Sequence, residues 1–459
     1  MDPGHCIYKV SKSIRNVKPQ AYRPQVVLIG LHNRSIKQTA NDGAGTSSDQ
    51  GQTNKTKQKY VNMEKQKKTY LKSFTEKVGP KSIQDMKEII IAEEKNIRGS
   101  YEISTEWVPP ESFVDHILED SVFIMEFIIT HGENSHDTKH TADVKQDLML
   151  LENQLPFFIF QKLFGSHMEK LGIMGTVEQF ILNFFSLKIK TKTNFRHFTD
   201  MFRCVYEESL EETPNLNDLT GEAIGEMANA DYLSRAGVKF KTPSEWKSSE
   251  RERSHSGNLQ PMTSISSGKE TDDYSLHVSF KEGCLVMSSF RADEASETIL
   301  RNVIAFEQSH GAVNPFTSNY INFINLLITN ERDVEVLTAE GVLRNRMGSP
   351  NLVVQMINDL NRGLKEPTII KKKSSQYRSI AMNLKAHYKS RRNRYWATLS
   401  KVYFPDLLTG TATCAAVFLL FLTLIGTVAS VIQAYKSFES VPPTIIYMTS
   451  KADQRKDAP

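Results

Sequence analysis

The feature that most constrains this chain is a stretch of 29 residues without a charged side chain, from Leu407 to Tyr435. A helix needs roughly 20 apolar residues to cross the hydrocarbon core of a bilayer. A buried helix of a soluble protein rarely runs this long without a polar face. We therefore predict one transmembrane helix over residues 407–435, followed by a short tail at 436–459.

Charged residues beside this stretch predict which way the chain crosses the membrane, because Lys and Arg favour the cytoplasmic side of a span. The 20 residues before it hold five Lys or Arg, and the 20 residues after it hold three. Residues 1–20 contain no apolar core of a signal peptide. We expect a single-pass protein like the tail-anchored proteins, with its N-terminal region in the cytoplasm and the plasma membrane as the favoured membrane.

The basic residues are concentrated before the predicted span. Residues 371–401 hold ten Lys or Arg and no Asp or Glu, whereas the whole chain has a net charge of only +4. We interpret residues 367–405 as a basic juxtamembrane helix, which either contacts anionic lipid headgroups or is a solvated helix that fixes orientation. Nucleic acid is not the expected partner, because the stretch lies beside the bilayer. The candidate membrane-surface residues are Lys389, Arg391, Arg392, Arg394 and Lys401.

The rest of the chain has the pattern of a mainly α-helical protein. Apolar residues at helical spacing predict helices at 61–78, 82–97, 111–131, 143–164 with a kink or break at Pro156, 296–310, 318–329, 332–340 and 351–364. Residues 1–32 read as an extended segment, 33–59 as a polar disordered loop, and 60–366 as a helical domain with a polar insertion at 242–273. Within that domain, two β-like runs flank the turn residues 281–283 and predict a hairpin. The predicted fold class is therefore a helical globular region with a small β-hairpin element and one C-terminal transmembrane helix.

No motif in the sequence names a reaction. The four cysteines have no CxxC spacing, and phosphate-binding loops, hydrolase elbows and zincin motifs are absent from the sequence. His131, His136 and His140 lie among turn-forming residues, so a solvated loop is favoured over a metal site. We expect no cofactor and no metal.

Charged residues inside apolar helical patterns form the second group of candidates. Glu126, Glu152 and Arg301 each lie within or beside a strongly apolar run. Buried charges need partners, so we predict a structural polar network in which Arg301 pairs with Glu126 or Glu152. The alternative is a paired-carboxylate acid/base site, in which Asp120 could take part.

Several blocks of the sequence resemble one family of plant proteins. The blocks are Tyr22–Gly30 (YRPQVVLIG), Asp147–Phe158 (DLMLLENQLPFF) and Arg301–Gln308 (RNVIAFEQ), and they follow in order along most of the chain. They resemble the plant DUF247 family, also called UPF0481. The resemblance implies a mainly helical, membrane-associated plant protein with one C-terminal span and no established catalytic residues. This sequence departs from the family pattern at two places. Residues 30–33 are Gly-Leu-His-Asn where the family usually has Gly-Pro-Phe-His-His, and Gln66 stands where the family usually has histidine.

The function that these observations favour is a non-enzymatic, membrane-anchored interaction or recognition protein. Some members of the family that the sequence resembles are associated with pollen–stigma self-incompatibility in grasses. The resemblance therefore makes signalling or recognition of that kind one form of this hypothesis. The expected partners are membrane lipids and an unknown protein, and homo-oligomerisation stays open. The alternative is an uncharacterised membrane-tethered hydrolase or transferase.

Overall fold

The computed structural model describes residues 4–33, 50–132, 139–189, 194–210, 227–254, 274–311, 314–362, 364, 375–390 and 407–439. Its internal contacts divide the chain into two compact units, residues 1–393 and residues 394–459. We call the first unit the head. The head is mainly helical, as the sequence predicts, and has two small sheets where the sequence predicted one hairpin.

Helices build the first half of the head. The amphipathic patterns predicted at residues 61–78 and 82–97 form two consecutive helices, and both pack on a third, α4 (Pro110–His131), which is buried along most of its length. Pro110 begins α4, where its missing N–H costs nothing. A short 3₁₀ turn covers Pro19–Tyr22. The helices are α1 Lys12–Arg15, α2 Gln50–Val78, α3 Pro80–Gly99, α4 Pro110–His131, α5 Lys139–Leu148, α6 Phe157–Phe164, α7 Val177–Phe184, α8 Phe198–Glu208 and α9 Ala230–Arg235.

Both ends of the loop predicted at residues 33–59 differ from the sequence prediction. Residues 50–59 belong to α2, and Asn33 is buried. Residues 34–49 lie outside the described residues. The break predicted at Pro156 within residues 143–164 is confirmed, because α5 ends at Leu148 and α6 begins directly after Pro156.

The predicted hairpin is confirmed. Strand β2 (Val278–Lys281) pairs antiparallel with β3 (Cys284–Met287), and Glu282 and Gly283 both have positive φ angles at the turn. Such a turn matches the twist of the two strands. Strand β1 (Lys239–Lys241) pairs parallel with β3, and a second small sheet joins β4 (Phe290–Ala292) to β5 (Leu343–Asn345).

The predicted polar insertion at 242–273 also contains regular structure. Its first part forms helix α10, Pro243–Ser254, while residues 255–273 lie outside the described residues. The remaining helices of the head follow the predicted apolar patterns closely, except the last of them. They are α11 Glu294–Ser309, α12 Phe316–Leu327, α13 Glu331–Ala339, α14 Pro350–Asn361 and α15 Ser375–Lys389.

Helix α15 corrects the interpretation of the basic stretch 367–405. Tyr377 and Leu384 are completely buried, and the Tyr377 hydroxyl donates a hydrogen bond of 2.9 Å to the carbonyl oxygen of Leu276. This helix therefore belongs to the head and is not a separate juxtamembrane element. Lys389 is exposed at its end. The other four predicted membrane-surface residues, Arg391, Arg392, Arg394 and Lys401, lie outside the described residues.

The second unit contains helix α16, Leu407–Glu439. Its segment Thr411–Ser437 is long and apolar enough to cross a membrane, and none of its most apolar part is buried in the structure. The hydroxyls of Thr423, Thr427 and Ser430 donate to carbonyl oxygens one turn earlier. These bonds satisfy the polar groups within the helix itself, as an apolar environment requires.

Candidate functional site

Several buried polar side chains of the head bind its N-terminal segment, residues 4–33. Val27, Ile29 and Leu31 are completely buried, although residues 22–33 form no strand. Buried backbone N–H and C=O groups need hydrogen-bond partners. Side chains from α2, α4, α5 and the loop after α5 supply them. We call this arrangement the clasp; it comprises Lys67, Asp120, Asp147, Glu152 and Asn153.

Asp147, near the end of α5, holds the first part of the segment. Its Oδ1 accepts a hydrogen bond from the backbone N–H of Gln25 at 2.7 Å. Its Oδ2 accepts two more, from Val26 at 2.6 Å and from Val27 at 2.8 Å. One carboxylate therefore binds three successive backbone amides. Burial outweighs these bonds and raises the pKa of Asp147 to about 7.

Asn153 continues the contact along the segment. Its Oδ1 accepts from the backbone N–H of Ile29 at 2.7 Å. Its Nδ2 donates to the carbonyl oxygens of Val27 at 3.1 Å and Asp147 at 2.9 Å. An amide offers both a donor and an acceptor, so this one side chain substitutes for the neighbouring strand that the segment lacks.

The buried ion pair of Asp120 and Lys67 binds the last part of the segment, around residues 28–30. Asp120 accepts from the backbone N–H of Gly30 at 2.9 Å and from the Lys67 ammonium at 2.7 Å. Lys67 also donates to the carbonyl oxygen of Leu28 and to Glu64. All three ammonium protons thus have acceptors, which is what a fully buried lysine needs.

Gly30 is required by this geometry. Its φ is +70°, and a Cβ atom there would lie 2.1 Å from the carbonyl oxygen of Gln154. That carbonyl also accepts a hydrogen bond of 2.8 Å from the Tyr101 hydroxyl. Only a residue without a side chain fits so close to another backbone. This explains the glycine that ends the YRPQVVLIG block.

The predicted pairing of Arg301 with Glu126 or Glu152 is wrong, although all three side chains are buried as expected. Arg301 Nε lies 2.9 Å from Oε1 of Glu297, one turn away on α11. Glu126 pairs with Lys77 of α2. Glu152 pairs with Arg15 and accepts from the backbone N–H of Val10 at 2.8 Å, so it belongs to the clasp.

Lys67, Asp147 and Asn153 were given no role by the sequence reasoning. Lys67 has a detectable signal, since it lies in the same helical stripe as the buried residues Met63 and Phe74 of α2. Asp147 and Asn153 lie beside apolar residues in the DLMLLENQLPFF block. Their partners are backbone groups more than a hundred residues away, which a sequence pattern does not reveal.

A cysteine, a histidine and an aspartate meet beside the clasp, but their geometry is not that of a nucleophile and its base. His197 Nε2 lies 2.9 Å from the carbonyl oxygen of Cys6, and Nδ1 lies 3.2 Å from the backbone nitrogen of Asp200. Both ring nitrogens are therefore occupied by backbone groups. Burial raises the pKa of the Cys6 thiol to about 12 and lowers the pKa of His197 to about 4. A neutral thiol is a poor nucleophile.

Within the described parts of the chain, no group of three or more His, Cys, Asp or Glu is arranged to hold a metal ion. His131 ends α4 and His140 lies in the first turn of α5, whereas the sequence placed both in a loop. His136 lies outside the described residues.

Two sequence blocks that resemble DUF247 proteins, Tyr22–Gly30 and Asp147–Phe158, are thus bound to each other in the clasp. A sequence model of DUF247, described as a plant protein of unknown function, matches residues 7–422. The chain belongs to the DUF247 family. The match includes the clasp, the two small sheets and the first part of α16. The blocks that carry the resemblance therefore act together in holding the fold.

Two curated relatives come from Arabidopsis thaliana. UPF0481 protein At3g47200 is 23% identical over 468 residues, covering 93% of this chain and 86% of the relative. Putative UPF0481 protein At3g02645 is 24% identical over 156 residues, covering 34% of this chain and 24% of the relative. No solved structure matches the chain.

Proposed function

We propose that this DUF247 protein is a non-enzymatic, membrane-anchored interaction protein of plant cells. The observation that carries the proposal is the helix Thr411–Ser437, which is long and apolar enough to span a bilayer and whose most apolar part is not buried by the protein. An apolar surface of this length is stable in lipid and unstable in water. The head is then tethered to a membrane by its C-terminal side.

The use of the buried charges supports a role without catalysis. A general acid or base must reach a substrate directly or through water. Asp120, Asp147 and Lys67 are completely buried, and the contacts described above join them to backbone groups, to each other and to Glu64. Their hydrogen bonds hold the N-terminal segment in place. The surface that a partner can bind is then the outer surface of the tethered head.

In this proposal the head faces the cytoplasm, at the plasma membrane, and binds a protein partner in signalling or in recognition of the self-incompatibility type. Anionic lipid headgroups lie beside Lys389 and the four basic residues that follow it before the span. Copies of the chain are candidate partners of one another.

Alkaline carbonate extraction tests the anchor. The native full-length chain should stay with the membrane pellet, whereas the double variant Leu420→Arg/Ile425→Arg should be released. An arginine in the middle of a span costs about 3 kcal/mol, so two should abolish insertion. The matched control is Val61→Arg/Ile91→Arg, which places the same two charges on exposed hydrophobic positions of the head. Release of the native chain into the supernatant would overturn the proposal.

The interaction itself is tested by proximity labelling from the N-terminus of the native chain. A consistent set of protein neighbours should be labelled, and the set should change when Leu420→Arg/Ile425→Arg detaches the head. Identical neighbours for both chains would show that the anchor does not select the partner.

A further inference from the structure

Asn33 begins one of the two Asn-x-Ser/Thr sequences of this chain, Asn33-Arg34-Ser35. Such a sequence is a potential acceptor for N-linked glycan. In the folded head, however, Asn33 is only 3% exposed. Its Nδ2 donates to the carbonyl oxygen of Glu152 at 3.2 Å and to Oδ1 of Asn153 at 3.2 Å. The acceptor nitrogen is therefore committed to the clasp.

Glycosylation would change this nitrogen directly. The Asn Nδ2 forms a bond to the first sugar, the sugar leaves its lipid-linked diphosphate carrier, and Nδ2 loses one of its two protons. A singly substituted amide can donate only one of the two bonds that Asn33 makes. The attached sugar also needs space that a buried side chain does not have. A glycan at Asn33 and the closed clasp therefore exclude each other.

We propose that folding closes Asn33 as a glycan acceptor, and that the head can reach this fold only on the cytosolic side of the membrane. In the lumen of the secretory pathway the acceptor is modified while the chain is still unfolded. The glycan then blocks the clasp, and the orientation of the protein is tied to its fold. The inference rests on the proposed anchoring, since only a membrane protein has two sides to choose between.

The cysteines agree with this orientation. Cys6, Cys204 and Cys284 are all buried in the head as free thiols. Free thiols are typical of the reducing cytosol, whereas disulfides form and persist in the lumen. A chain folded for the lumen would gain stability from pairing such residues.

The experiment compares the native full-length chain with the same chain carrying a cleavable N-terminal signal peptide, which forces the head into the lumen. Each is made as wild type and as Ser35→Ala, which removes the acceptor sequence but keeps Asn33 for the clasp. The matched control is Thr56→Ala, which removes the other acceptor sequence, at Asn54 in α2. Glycan is read from the mobility shift on endoglycosidase treatment, and folding from the rate at which a protease cleaves the head.

The native chain should carry no glycan and resist the protease. The lumenal wild type should carry glycan at Asn33 and be cleaved at least roughly tenfold faster, because cleavage follows the population of the open form. Ser35→Ala should restore resistance in the lumen, and Thr56→Ala should not. The proposal is overturned if the native chain is glycosylated at Asn33, if the lumenal chain resists cleavage with glycan present, or if Ser35→Ala fails to restore resistance. Carbonate extraction of the native chain reports separately on the anchor, so a failure of the anchoring is distinguished from a failure of this inference.

Discussion

Replacing Asp147 by Asn is the most direct test of the clasp. The carboxylate accepts three backbone N–H groups, at 2.7, 2.6 and 2.8 Å. Asparagine keeps one acceptor oxygen but presents an NH₂ group to donors that it cannot satisfy. Of the three amides, that of Gln25 lies on an exposed residue where water can replace the lost bond, whereas Val27 is completely buried.

The size of the effect follows from the oxygen that asparagine keeps. In the position of Oδ2 this oxygen still accepts from Val26 and Val27, but the NH₂ group then faces the N–H of Gln25. A donor left without its acceptor costs about 1–3 kcal/mol, and water reaches Gln25, so we expect a loss of about 1–2 kcal/mol in the free energy of unfolding. The measurement should be made near pH 5, because the pKa of Asp147 is raised to about 7 and the wild type therefore loses stability as the pH rises toward 7, which the asparagine variant does not.

Chemical denaturation of the full-length chain in detergent, followed by tryptophan fluorescence, gives this free energy. The matched control is Asp143→Asn, one turn earlier on α5 and only half-buried, which should change stability by no more than about 0.5 kcal/mol. Limited proteolysis should show the N-terminal segment released first in the Asp147 variant. If Asp147→Asn loses less than about 1 kcal/mol, like the control, the clasp does not hold the segment as argued.

Three further changes test other contacts of the head by the same denaturation assay. Gly30→Ala should cost about 3 kcal/mol or more because its Cβ meets backbone at 2.1 Å, whereas Gly79→Ala, also at positive φ but in open space, should cost about 1–2 kcal/mol; equal losses would contradict the steric argument. Arg301→Ala should cost about 1–3 kcal/mol because it leaves the buried Glu297 with Lys18 as its remaining cation, and removing both Arg301 and Glu297 side chains should cost less than the sum of the single losses. Burial raises the pKa of Glu307 from an ordinary 4.5 to about 7, so its contribution to stability is present at acid pH and is lost as the pH rises through 7. Glu307→Gln should therefore lose less stability than the wild type between pH 5 and pH 8, and an unchanged pH profile would show that this carboxyl does not titrate with folding.

The helices were largely predictable because each carries its own periodic apolar face. The segments α4, α11 and α13 lie within a few residues of the boundaries that the sequence predicted. The hairpin was predictable because a turn of two positive-φ residues separates two β-like runs. These features depend on neighbours within one or two turns of the chain, so the sequence alone contains the necessary information.

The partners of buried charges were not predictable in the same way. Burial of Glu126, Glu152 and Arg301 follows from their apolar surroundings in sequence, but each pairs with a residue that tertiary packing brings close or that shares its helix. Many pairings satisfy a buried charge equally well, and sequence cannot choose among them. Docking of α15 into the head likewise depends on contacts with Leu276 in a distant strand region.

The sequence by itself determined the helical fold class, the apolar segment at residues 407–435 and the resemblance to DUF247 proteins, because length, periodicity and local motifs encode them. Only the tertiary structure decided what the DUF247-like blocks do. It brings Asp147 and Asn153 to a backbone segment about 120 residues earlier, and it buries Asn33 against them. These side chains contact backbone N–H and C=O groups of the segment. Nearly every residue has both groups, so the contacts leave no pattern in the sequence of the segment.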